Sequence, residues 1–217
     1  MSARLFGQSA VDLLGLLSVI LAAWFALPQL IRLRRTGSAA GVSADSLANS
    51  LISLVGWTLY GIGHAKPWVV VASAVGIPAT ALSLVLVLRL GGRMSWQAPG
   101  IWASTLMLTA VIDRVFGLAL IDIVLGCSIL WFVAPAATTA WRSPDVSGLS
   151  PQTWVVLALE ASVFGVYGLG AHVFADQVYA ATSISGAALV LARIYVFPPR
   201  AAVGLVDGFA NESLPAR

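Results

Sequence analysis

Residues 11–32 read VDLLGLLSVILAAWFALPQLIR, and Arg34 and Arg35 follow almost at once. An α-helix needs about 20 apolar residues to cross about 30 Å of hydrocarbon. This stretch is long enough and carries charge only near its two ends, at Asp12 and Arg32. Its positive charges come after the apolar run. A secretory signal peptide carries them before it and closes on a small-residue cleavage site, so the segment reads as a retained membrane helix.

The same pattern recurs along the chain, and seven spans are predicted at 11–32, 45–64, 68–89, 97–112, 117–141, 152–172 and 176–197. Polar or helix-breaking residues separate them: Arg34-Arg35-Thr36-Gly37, Lys66-Pro67, Gly91-Gly92-Arg93, Asp113-Arg114, Arg142-Ser143-Pro144-Asp145 and the turn from His172 to Asp176. Composition agrees with an all-α membrane protein. Of 217 residues, 59% are apolar and 10% charged, with a mean hydropathy of +0.92; an ordinary soluble domain has roughly 45–50% and 25%. One soluble core of this size cannot hide so much apolar surface. Disorder is excluded by the hydrophobicity, and 12 Lys+Arg against 9 Asp+Glu make no basic field for nucleic acid. The single cysteine, Cys127, excludes an internal disulfide and a cysteine metal cluster.

Lys and Arg are retained on the cytoplasmic side during insertion. Seven crossings place Arg32, Arg34, Arg35, Arg89, Arg93, Arg142, Arg193 and Arg200 on one side and Arg4, Lys66 and Arg114 on the other. The expectation is a multi-pass protein of the cell membrane with its N-terminus outside and its C-terminus cytoplasmic. The tail 198–217 has no apolar period and is expected to be disordered.

Sliding the sequence against itself by 107 positions aligns Trp24 with Trp131, Pro28 with Pro135, Gly41 with Gly148, Ser43 with Ser150, Tyr60 with Tyr167, Gly61 with Gly168 and Gly63 with Gly170. A shift of 110 aligns Ser73 and Gly76 with Ser183 and Gly186. The expected plan is therefore 3+1+3: an N-terminal tail 1–10, a triple-helix bundle 11–90, a linker 91–116 containing one helix, a second bundle 117–197, and the tail. Three helices plus a linker make an even number, so both bundles point the same way. Two parallel units about an axis normal to the membrane are a recurring transporter design, with the solute site between them near the midplane.

Two chemical features stand out within that plan. Pro28 and Pro135 lie near the cytoplasmic ends of the first helix of each unit, where a proline removes one backbone hydrogen bond and makes either a hinge or a static kink. Trp57 lies too deep in its helix for the interfacial aromatic belt, which makes it a candidate pocket wall.

Leu27-Pro28-Gln29-Leu30, followed by Arg34-Arg35-Thr36-Gly37 and Gly41-Val42-Ser43, resembles a PQ-loop motif. Trp57-Thr58-Leu59-Tyr60-Gly61 resembles the second helix of the SWEET sugar transporters and their half-size SemiSWEET relatives. The resemblance covers about 11–90 and 117–197. It implies two triple-helix bundles joined by an inversion linker helix, with the N-terminus outside. It further implies facilitated diffusion of a small neutral solute, such as a sugar, by alternating access. It places Pro28, Gln29 and Pro135 at the inner gate and matches Trp57 and Ser73 to the Trp and Asn of the sugar pocket. This chain departs from that pattern: serine replaces the Asn in both units, as Ser73 and Ser183, and the second aromatic is Phe164. A hydroxyl is shorter than a carboxamide and makes fewer hydrogen bonds, so the solute is gripped less or is smaller. Packing of small residues at helix contacts is the competing role for both serines.

Glu160 falls near the middle of the sixth span with no basic neighbour in sequence, and a charge there costs on the order of 3 kcal/mol on insertion scales. Two roles stay open: a proton-coupling carboxylate, as in the proton-driven amino-acid exporters among PQ-loop proteins, or a hydrogen-bonded structural group. Those exporters are the weaker resemblance, because their acidic residue follows the second loop's glycine at a spacing that is apolar here. Asp12, His64, Asp122, His172 and Asp176 are expected at the hydrated outer rim, with Tyr60 and Tyr167 beneath it as gate candidates. No nucleotide-binding loop, metal-ligand spacing or nucleophile elbow is present, so no cofactor, no metal and no enzyme activity are expected. The partners expected are a small solute and the bilayer, with assembly into a homo-oligomer left open. A solute carrier and a non-transporting receptor or accessory protein on the same helices are the two functions in play.

Overall fold

The computed structural model describes residues 7–39, 42–142 and 151–197, and every regular element among them is helical. Residue 41, the 143–150 connection with Gly148 and Ser150, and the tail 198–217 lie outside the described residues.

Local chemistry sets the helix ends. α1 (Gln8–Thr36) stops at Gly37, whose φ of 57° suits glycine and whose N–H returns to the Leu33 carbonyl at 3.1 Å. α2 (Ala44–Gly63) starts from Ser43, whose hydroxyl accepts the Ser46 N–H at 3.2 Å. α3 (Pro67–Arg89) opens on a proline, which lacks an N–H that a first turn leaves unbonded anyway. After α4 (Gln97–Phe116) come α5 (Leu120–Gly126), a 3-10 turn (Cys127–Ile129), α6 (Leu130–Arg142), α7 (Pro151–Ala171) and α8 (Phe174–Tyr195).

Four of the seven expected spans, α1, α3, α7 and α8, are helices long and apolar enough to cross a membrane. Large apolar side chains such as Leu13, Trp24, Met107 and Leu189 face outward, whereas Ser18, Ser73, Ser83, Ser128 and Ser183 are buried between helices. That distribution suits hydrocarbon outside and close helix contacts inside.

Two expectations need correction. The span 117–141 is not one helix. A Cβ on Gly126 would stand 2.7 Å from the Ala175 carbonyl oxygen, and the Thr182 hydroxyl donates to the Gly126 carbonyl at 3.2 Å. A carbonyl drawn toward a neighbouring helix loosens the helical ladder, and the chain tightens into the 3-10 turn there. The fourth span runs past its expected end at 112 to Phe116. Asp113 does not stop it; the carboxylate turns toward the next element and accepts the N–H groups of Leu120 at 2.8 Å and Ile121 at 2.5 Å.

α3 packs along both α1 and α2, and α8 packs along α7 and along α5 and α6. The two groups meet where α1 touches α7 and where α2 touches α5 and α6, while α4 rests on α2 and α5. The α2–α3 and α7–α8 turns have the same backbone. Lys66 N–H donates to Gly61 O and Val173 N–H to Gly168 O, both at 2.8 Å, and φ is positive at Ala65 (52°) and His172 (55°). Each turn folds back so tightly that only glycine fits at its base: a Cβ would lie 3.0 Å from the Val70 nitrogen at Gly61 and 2.9 Å from the Val173 oxygen at Gly168.

Candidate functional site

Asn49, Ser53, Trp57 and Tyr60 are spaced to share one face of α2, and Glu160, Phe164 and Tyr167 share one face of α7. Trp57 is buried, and its indole N–H donates to the Ser128 hydroxyl at 3.3 Å. Ser128 belongs to the 3-10 turn, so the interruption between α5 and α6 supplies the acceptor for the one tryptophan of α2.

Tyr179 of α8 stands between the two expected pocket aromatics. Its ring meets Trp57 edge to face at 6.0 Å and Phe164 at 5.8 Å. The Tyr179 hydroxyl reaches toward Glu160 and Ser183. Glu160 is 5% exposed and Ser183 fully buried, yet Glu160 Oε2 and Ser183 Oγ make no hydrogen bond among the described residues. Ser73 is different. Its hydroxyl accepts from Thr58 at 3.1 Å and donates to the Val69 carbonyl at 2.6 Å, which satisfies it within the α2–α3 contact. The structure thus brings Trp57, Phe164 and Ser183 together around Tyr179, and occupies Ser73 in helix packing.

At the end of the molecule that carries Lys66, polar contacts join the two halves: the Tyr60 hydroxyl donates to Asp122 and the Lys66 ammonium to the Ala171 carbonyl. Within the first half, the Trp68 indole donates to Asp12 at 2.9 Å. Tyr60 also stacks on His64 with ring centroids 4.2 Å apart. Tyr167 is buried near the carboxylates of Asp176 and Asp12. His64 and His172 are exposed. Asp176 departs from the hydrated rim expected for it: it is 1% exposed, packed against Gly168, and its Oδ2 has no hydrogen bond among the described residues. Being near a helix start does not keep it wet, because the tight α7–α8 turn folds it inward.

At the opposite end, Pro28 lies exposed within α1 and Gln29 beside it is half-buried. Pro135 lies within α6. One turn before each proline stands a phenylalanine, and Phe25 and Phe132 meet edge to face at 6.3 Å. Two open grooves, one along Val133, Ala137 and Gly186 and one along α4, are lined by neither Trp57, Phe164 nor Glu160.

The sequence reading missed Ser128, Tyr179 and the phenylalanine pair. Phe25 and Phe132 also match at the shift of 107, next to the Trp24 and Trp131 already aligned, so that signal was present. Tyr179 sits between Asp176 and Ser183 at helical spacing, a polar stripe on an otherwise apolar helix.

A family model described as PQ loop repeat matches residues 10–70. Those residues hold α1, α2 and the start of α3, with Pro28, Gln29, Trp57 and Tyr60. Neither the curated proteins nor the solved structures gave a match. Together with four helices able to cross a bilayer, the repeat makes the chain a multi-pass membrane protein.

Proposed function

We propose that the chain is a SWEET-like carrier that moves a small neutral solute, of the sugar class, by facilitated diffusion with alternating access. In this reading seven helices cross the cell membrane as two parallel triple-helix bundles joined by α4, the Lys66 end faces outside and the C-terminus is cytoplasmic. The carrying observation is the placement of Trp57 and Phe164. They occupy matching positions at the shift of 107, come from opposite halves and close on the same Tyr179 ring. Aromatic faces stack on the apolar face of a sugar ring, while Ser183 and the Tyr179 hydroxyl offer hydrogen bonds.

The contacts of Tyr60 with Asp122 and of Lys66 with Ala171 close the Lys66 end in this state. Exchange between closed and open ends needs only that such contacts break while those at the other end form. The test is counterflow in proteoliposomes against a panel of mono- and disaccharides, polyols and amino acids. Uptake of at least one sugar or polyol that ignores an imposed pH gradient supports the reading. Uptake of amino acids alone, or of nothing in the panel, overturns it.

A further inference from the structure

We propose that the groove between α6 and α8 seats one acyl chain of an anionic phospholipid, whose phosphate is held by Arg142 and Arg193. The groove has a volume of about 360 Å³. Val133, Ala137 and Gly186 form its buried floor, and Ala134, Ala181 and Ser185 form exposed rims. A Cβ on Gly186 would stand 2.0 Å from a Val133 methyl group, so glycine lets α6 and α8 close the floor. In a multi-pass membrane protein, rims exposed on the outer face of two helices open onto hydrocarbon.

Comparison with the first half shows how the groove arises. At the shifts of 107 and 110, Ala134 and Ala137 correspond to Leu27 and Leu30, and Ala181 and Ser185 to Val71 and Val75. The same four places thus carry larger side chains along α1 and α3. An unfilled trough forfeits its dispersion contacts on one side, and on an outward face the neighbour able to restore them is an acyl chain.

The end of the groove opposite Lys66 suits a phosphate. Leu189 closes it there, and the Trp141 indole donates to the Leu189 carbonyl at 3.2 Å. Trp141 is 45% exposed and packs on Phe197 with ring centroids 5.7 Å apart, as an aromatic anchor at headgroup level does. Arg193 follows Leu189 by one turn. Its Nε donates to the Ala140 carbonyl at 3.0 Å and an Nη to the Phe197 carbonyl, which fixes the guanidinium beside the groove. Arg142 is exposed next to Trp141. Residues 130–142 and 177–197 contain no Asp or Glu, so the charge that these two segments present is positive throughout. Basic pockets between membrane helices hold anionic headgroups in this way.

The lengths agree. From Arg193 to Ala181 is about 18 Å along α8 at about 1.5 Å per residue. One leaflet's share of a hydrocarbon core of about 30 Å is about 15 Å. A chain tethered at the arginines therefore fills the groove and ends near the midplane. A helix of a second copy fits less well. The trough is about two turns long, and the exposed Leu130 and Leu189 at its ends would hold a straight rod off the floor. The inference depends on the carrier reading only for the leaflet, which is the cytoplasmic one in the orientation proposed above.

The test is native mass spectrometry of the full chain released from mixed micelles with equal amounts of phosphatidylglycerol and phosphatidylcholine. One phosphatidylglycerol is expected to stay on each chain, preferred by about tenfold or more, and Arg142→Gln is expected to lower that preference about fivefold. The double variant Ala134→Leu/Ser185→Val puts the larger first-half side chains on the exposed rims. It is expected to keep its helical circular dichroism and to release both lipids. Equal retention of the two lipids by the wild type overturns the proposal, and so does phosphatidylglycerol that stays on the folded double variant. Glycerol phosphate, a headgroup without chains, is expected not to displace the lipid; displacement would reduce the site to an anion site and sink the acyl-chain assignment. A dimer that the double variant converts to monomer, with lipid retention unchanged, would give the groove to a second copy instead. Failure of every counterflow substrate would sink the carrier and leave these readouts intact.

Discussion

Phe25 of α1 and Phe132 of α6 meet edge to face with ring centroids 6.3 Å apart, and they are the same position of the two halves at a shift of 107. A second pair that matches at the same shift, Trp57 and Phe164, lies on either side of Tyr179, so two matched aromatic pairs sit where α1 and α2 face the helices of the second half.

The phenylalanine pair supplies the first prediction. Edge-to-face rings contribute about 1 kcal/mol beyond the area they bury. A double-mutant cycle of Phe25→Ala and Phe132→Ala, read by equilibrium unfolding in mixed micelles, is expected to return that coupling. Strict additivity of the two single changes would show that the rings do not interact in the membrane-embedded fold.

Trp57 gives the second. Trp57→Ala is expected to abolish solute counterflow while the purified protein keeps its helical circular dichroism, because the pocket wall is removed. Ser128→Ala leaves the indole N–H unpaired in a dry interior and is expected to cost about 1–3 kcal/mol of stability. Full counterflow by Trp57→Ala would take the tryptophan out of the solute's path.

The hairpin glycines give the third. Gly61→Ala and Gly168→Ala place a methyl group against backbone atoms and are each expected to cost about 1–3 kcal/mol. Gly63 has nothing within 4 Å of an added Cβ, so Gly63→Ala is the matched control and is expected to unfold at the wild-type temperature or above. Equal melting temperatures for all three variants would refute the tight-turn geometry.

The same turns predict gains. Ala65 and His172 hold φ values of 52° and 55°, which a Cβ disfavours by about 1–2 kcal/mol. Ala65→Gly and His172→Gly are expected to raise thermal stability, each by a similar amount. A fall in both would mean that the turns relax differently in the folded protein.

Much of the architecture was readable from residue order because hydrocarbon imposes a coarse rule: long apolar runs and their breaks mark α1, α3, α7 and α8 without any knowledge of packing. The break between α5 and α6 was not readable. It depends on Thr182 reaching the carbonyl of Gly126 from a distant helix, and nothing local to Gly126 announces that partner. Asp176 misled for a related reason. A carboxylate beside a turn reads as wet, yet the turn at Gly168 and Val173 is tight enough to fold the first turn of α8 inward. Trp57 and Phe164 were legible from depth and repetition. Tyr179, which joins them, was not, because its counterpart Val69 breaks the repeat at that point.

α4 rests on α2 and α5, whereas among the described residues no helix is laid across the other seam, where α1 meets α7. The two groups of helices are therefore held together twice, by the long direct contact of α1 along α7 on one margin and by α4 laid over α2 and α5 on the other. Parting them at either margin must break a helix-length seam.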